Sequence, residues 1–161
     1  MKGLFRIRPA RLDEGPVLTE LAYASKRTWG YPEETLDEWN GPLAVLAEHI
    51  RDEAYFVAES AENGEWSPVG FFSLMPVDEP FTLDLDHFWV LPETQGRGVG
   101  RLMFERAVLE ARKAGARRMT ITAEPRAEGF YLRMGAVRIG GKPTTVGKEN
   151  HVLPLLEFQL D

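Results

Sequence analysis

Apolar and basic residues alternate from Leu4 to Arg8 and stop at Pro9, so the chain opens with a strand. Asp13 and Glu14 start a helical stretch through Leu18, Leu21 and Ala22 that ends near Trp29-Gly30. Helical spacing resumes over residues 32–51, where Gly41-Pro42 divides it into two shorter helices. Two β-rich runs follow at 54–59 and 69–74, and the Asn63-Gly64 pair between them predicts a hairpin. Residues 83–91 form a further strand, halted by Pro92. Beyond it Gly100, Phe104, Ala107, Val108, Ala111 and Ala114 recur in steps of three and four, predicting a long helix capped by Gly115. Residues 118–122 make a β-branched strand and 126–134 a short helix closed by Gly135. The chain finishes with a short run at 136–139, a polar Gly/Thr loop, and an apolar run at 152–160. The pattern predicts a mixed α/β (α+β) fold of about seven strands and four helices, with a strand–helix–strand crossover in its middle.

The chain has 161 residues, 43% apolar and 27% charged. That is the size and composition of a single domain, residues 1–161, with its own core, and it excludes disordered, coiled-coil and collagen-like chains. There is no cysteine, which removes disulfides, thiolate metal cages and a cysteine nucleophile. A cytoplasmic location is the expectation, since no apolar run is long enough to span a bilayer and the start lacks a signal-peptide stretch. A net charge of −6 argues against a nucleic-acid binder. The charge is uneven, however. Residues 33–62 carry nine acids against the single base Arg51, a net −8, whereas residues 97–118 carry a net +5.

The basic segment begins at a junction of strand, turn and helix, Val90-Leu91-Pro92-Glu93-Thr94-Gln95-Gly96-Arg97-Gly98-Val99-Gly100-Arg101. Glycines there let backbone N–H groups face outward, where they meet the positive end of the helix dipole and suit a phosphate. A Walker loop needs Lys-Ser/Thr after its last glycine, and Gly100 is followed by Arg101-Leu102. The dinucleotide fingerprint needs a glycine three after the second, and that spacing falls on Arg101 or Met103. What remains is Gln-x-x-Gly-x-Gly (Gln95, Gly98, Gly100) after a strand ending Val-x-Pro (Val90, Pro92).

With a later Ala-x-x-Phe-Tyr helix (Ala127, Phe130, Tyr131) and Met134-Gly135, the chain resembles the GNAT superfamily of acyl-CoA-dependent N-acetyltransferases over nearly its whole length. The resemblance implies a GNAT fold and acetyl-CoA as cosubstrate. Its pyrophosphate would lie on Gln95, Gly96, Arg97, Gly98, Val99, Gly100 and Arg101, with its pantetheine arm paired to the backbone at Val90 and Leu91. The expected activity is direct transfer of acetyl to a primary amine of a small molecule or peptide. A non-catalytic acyl-CoA sensor or interaction module is the alternative.

Tyr131 matches the family's tyrosine acid, although it also sits at the flank of a stripe that would pack. For the base, carboxylates on the 83–91 strand come first in the family. Asp86 is favoured, then His87, then Asp84, with a plain solvated face for the two aspartates as the other reading. The asparagine that relatives carry ahead of the Phe-Tyr helix is absent. Glu124 and Arg126 stand there, and Arg126 would reach coenzyme A instead. Trp29, Tyr31 and Trp39, within the acidic region, would receive a cationic acceptor or else belong to the core. No metal, nucleic acid or membrane partner is expected, and a homodimer is left open.

Overall fold

In a computed structural model, residues 4–28, 43–62, 64–146 and 149–160 are described. The strands are β1 (Leu4–Pro9), β2 (Ala54–Glu62), β3 (Glu65–Pro76), β4 (Thr82–Val90), β5 (Arg118–Thr122), β6 (Val137–Val146) and β7 (Glu149–Gln159). Among the described residues the α-helices are α1 (Gly15–Arg27), α2 (Ala47–Asp52), α3 (Val99–Lys113) and α4 (Glu128–Arg133). The seven strands form one mixed sheet in the order β1-β2-β3-β4-β5-β7-β6. β4 and β5 run parallel, as α3 between them requires, while β1 with β2, β5 with β7, and β6 with β7 are antiparallel. No helix of the described residues is long and apolar enough to cross a membrane.

By its contacts the chain forms two compact units, Met1–Ser73 with His87–Met103, and Leu74–Asp86 with Phe104–Asp161. In the first, α1 turns Leu18, Leu21 and Ala22 inward against Tyr55, Val57 and Phe71. The entry to α1 is held by charge. Arg8 on β1 grips both oxygens of Glu14 at 2.8 Å, Glu14 also accepts from the Arg11 N–H at 2.7 Å, and Arg6 reaches Glu59 at 2.8 Å. Glu14 and Glu59 are buried, so each needs these partners to stay ionised. In the second unit, Phe104, Ala107, Val108 and Ala111 of α3 are buried, as are Met119, Ile121 and Leu156. The Phe104 ring meets Phe130 and Phe158 edge-on.

One sequence expectation is corrected. The polar Gly/Thr stretch after 136–139, expected as a loop, forms over 140–146 the greater part of β6. It pairs with β7 from Val137↔Glu157 to Val146↔Glu149, with a register shift between Arg138 and Gly140. Cross-strand pairing outweighs a composition that disfavours strands.

Candidate active site

The turn between β4 and α3 is built from its ends inward. Ser25 of α1 and the Gln95 side chain both donate to the Val90 carbonyl, at 3.0 and 3.3 Å, tying the end of β4 to the start of the turn. Gly96 and Gly98 then take φ of 82° and 89°, values a side chain rarely adopts, and α3 begins at Val99. Alternating left-handed positions at the head of a helix turn successive N–H groups toward one side, as in an anion nest. Among the described residues, the N–H groups of Gly96, Arg97, Gly98, Val99 and Gly100 meet no backbone acceptor. The first helical bond, from the Leu102 N–H to the Gly98 carbonyl, closes behind them. A Cβ on Gly96 or Gly98 would meet nothing within 4 Å, so the space before the turn is open. Unpaired donors, a helix head and open space fit a pyrophosphate.

β4 divides its backbone between two edges. The Leu91 N–H donates to the Val69 carbonyl of β3 at 2.8 Å, and the His87 N–H to the Ser73 hydroxyl of β3 at 3.1 Å. Successive N–H groups alternate along a strand, so those of Phe88 and Val90 face the opposite edge. Of the two residues expected to pair with a pantetheine arm, Val90 therefore has its N–H directed away from β3, and Leu91 does not.

His87 is buried beside the Tyr55 and Phe71 rings, and its Nδ1 accepts from the Trp89 indole at 3.0 Å. Asp86 is exposed and Asp84 half-buried. Asp84 stands directly opposite Thr120 of β5, whose hydroxyl donates to its Oδ1 at 2.6 Å. Burial raises the Asp84 carboxyl above the usual range. Thr120 opposes that rise, Asp86 adds to it and Lys142 opposes it. Tyr131 on α4 is buried beside the Phe104 and Phe130 rings, 6.2 and 5.3 Å between centroids. Burial, and then the Asp84 charge, push its phenol well above the usual tyrosine value. Asp84 thus links the others: it accepts from Thr120, feels the charge of Asp86, and pushes the Tyr131 phenol up. Arg126 is exposed on the 3-10 turn Pro125–Ala127 that leads into α4.

Ion pairing redistributes the charge read from the sequence. Within the +5 segment, Arg106 and Lys113 pair with Glu110, Arg112 donates to the Leu160 carbonyl, Arg117 lies over the Phe81 ring and Arg118 pairs with Glu157 and Glu79. The turn itself carries Arg97 and Arg101. In the acidic segment Glu59 is held by Arg6 and Arg8, and Asp52 by Arg51. Trp29, Tyr31 and Trp39 lie outside the described residues. Thr120 and Ser25 were not singled out from sequence, because each acts on a partner many positions away.

Comparison with known proteins agrees with this architecture. The sequence model of the acetyltransferase (GNAT) family matches residues 18–136. A chloroplastic serotonin N-acetyltransferase 2 from Oryza sativa subsp. japonica is 34% identical over 83 residues, which are 52% of this chain and 41% of that protein. The chain thus spans less than half of that relative's length. A crystal structure of a GCN5-related N-acetyltransferase from Rhodopseudomonas palustris superposes with a TM-score of 0.76 at 21% identity, covering 99% of this chain and 98% of the other. PaiA N-acetyltransferase from Thermoplasma acidophilum, solved with coenzyme A, gives 0.74 at 18% identity over 97% and 99%. At such identities the structural likeness is one of fold, and the family match covers most of the chain in its own right. With the glycine turn set between β4 and α3 inside the matched region, the chain belongs to the acetyltransferase (GNAT) family.

Proposed function

We propose that residues 1–161 act as one GNAT domain that transfers acetyl from acetyl-CoA to a primary amine of a small molecule or peptide. The observation that carries this reading is the run of five N–H groups, Gly96 to Gly100, left without backbone acceptors at the head of a 15-residue helix. Those groups would hold the pyrophosphate, with Arg97 and Arg101 adding charge. When bound, acetyl-CoA supplies the thioester carbonyl that the amine attacks. Val90 offers its N–H to that carbonyl oxygen, where a fixed donor does most as negative charge develops.

We assign proton acceptance to Asp84 in preference to Asp86 or His87. Burial makes the Asp84 carboxylate more basic than an exposed one, and Thr120 occupies Oδ1 and leaves Oδ2 for the amine. His87 is buried beside Tyr55 and Phe71 and already accepts from Trp89. Tyr131 keeps its proton at neutral pH, since burial and the Asp84 charge both oppose its ionisation. Protonation of Asp84 removes the second of those causes, so the phenol becomes a better donor to the departing sulfur after the amine has lost its proton.

Thiol release from acetyl-CoA tests the reading when measured with a panel of polyamines, amino acids, aminoglycosides and peptide N-termini. Amine-dependent release with acetylated product in the mass spectrum supports the transferase. Cofactor binding without release for any amine would favour the non-catalytic sensor.

A further inference from the structure

We propose that Lys142 selects acceptors whose amine is accompanied, several bonds away, by a carboxylate or an equivalent anion. This rests on the acetyltransferase reading with Asp84 at the amine, and names a class of acceptor for it.

Register places the two residues on one surface. Asp84 lies opposite Thr120, Thr120 opposite Glu157, and Thr122 opposite Leu155. Lys142 of β6 lies opposite Leu153, two residues further along β7 and of the same parity. Asp84, Thr120 and Lys142 therefore project from the same face of β4, β5, β7 and β6. The other face carries Met119, Ile121 and Leu156, all buried.

On the shared face, Arg118 pairs with Glu157 at 3.3 Å and with Glu79. Lys142 is exposed and makes no ion pair or hydrogen bond among the described residues. It still acts on the Asp84 carboxyl, favouring the ionised form against burial. An ammonium ion arriving at Asp84 would meet the repulsion of Lys142, and a polyamine would meet more of it. An anion on the same acceptor converts that repulsion into a salt bridge.

The spacing limits what fits. Three strand separations of about 4.8 Å and four residues of about 3.3 Å put the two Cα atoms about 19 Å apart in a flat sheet. Side chains reaching inward cover about 8 Å of this, and two hydrogen bonds of about 2.8 Å a further share. An amine and carboxylate separated by about 5 Å would fill the remainder, as in a γ- or δ-amino acid rather than an α-amino acid.

The test is steady-state thiol release with 4-aminobutanoate, 5-aminopentanoate, glycine, 4-aminobutanamide and spermidine, using wild-type protein, Lys142→Met and Lys142→Glu. Wild type should prefer 4-aminobutanoate over its amide by about fivefold in kcat/KM, the range of one exposed ion pair. Lys142→Met should raise KM for the acid and lower it for the amide, and Lys142→Glu should shift preference toward spermidine. Equal use of acid and amide by wild type, or a preference that survives in Lys142→Met, would overturn the inference alone. No thiol release with any amine would overturn the acetyltransferase reading and the inference with it.

Discussion

Replacing Thr120 by Val removes a hydroxyl that donates to Asp84 Oδ1 at 2.6 Å, while keeping the β-branched shape that suits β5. A hydrogen bond to a charged group contributes about 1.5–3 kcal/mol, and about 1.4 kcal/mol corresponds to one pKa unit. Asp84 is half-buried, so screening by solvent favours the lower end, a rise of about one unit. The direction follows from the roles. Burial already raises this carboxyl, Thr120 restrains it, and loss of the restraint moves it further up. A base with a raised pKa is protonated at higher pH, so the acid limb of kcat/KM should move to higher pH by about one unit, with a smaller effect on the alkaline side. The assay is kcat/KM against pH for wild type, Thr120→Val and Thr120→Ser, with circular dichroism to confirm folding. Thr120→Ser keeps a hydroxyl and should recover the wild-type limb. Superimposable acid limbs in wild type and Thr120→Val would refute Asp84 as the base.

Tyr131→Phe should lower kcat by about a hundredfold with little change in acetyl-CoA affinity, as for loss of a general acid, and unchanged turnover would remove that role. Asp84→Asn should abolish turnover yet raise the melting temperature, because the folded state bears the cost of a buried carboxylate; wild-type stability should rise as pH falls through the Asp84 pKa, a rise absent in the variant. Glu14→Gln should cost about 3 kcal/mol by leaving Arg8 part-buried without its main partner. The Arg8 hydrogen bonds hold the Glu14 carboxyl below its usual range. Wild type should therefore lose stability as pH falls below the ordinary glutamate range, and Glu14→Gln should lose less.

Period and punctuation located most elements to within a few residues because local signals dominate there. The 118–122 strand is β5 itself, and the stepped run beginning at Gly100 is α3. Alternation along β4 placed the candidate carboxylates on one strand. It could not rank the aspartates. Asp84 is half-buried and Asp86 exposed, and the hydrogen bond that marks Asp84 comes from Thr120, 36 residues away. Ser25 acts on Val90 across 65 residues for the same reason. The Gly/Thr stretch reads as a loop in sequence because β6 exists through its partner β7 rather than through its own propensity. Segment charge counts overstated the local fields because pairs such as Arg8–Glu59 join positions 51 apart.

The central claim is that the turn after β4 holds the pyrophosphate of acetyl-CoA. Gly98 has a positive φ and faces open space, so a glutamate there would strain the turn and place a carboxylate before its N–H groups. Isothermal titration of acetyl-CoA into wild type and Gly98→Glu, with circular dichroism on both, measures this directly. Binding at one site per chain in wild type and none in a folded Gly98→Glu protein is the predicted result. Equal affinity in the two proteins, or no binding by wild type, would contradict it.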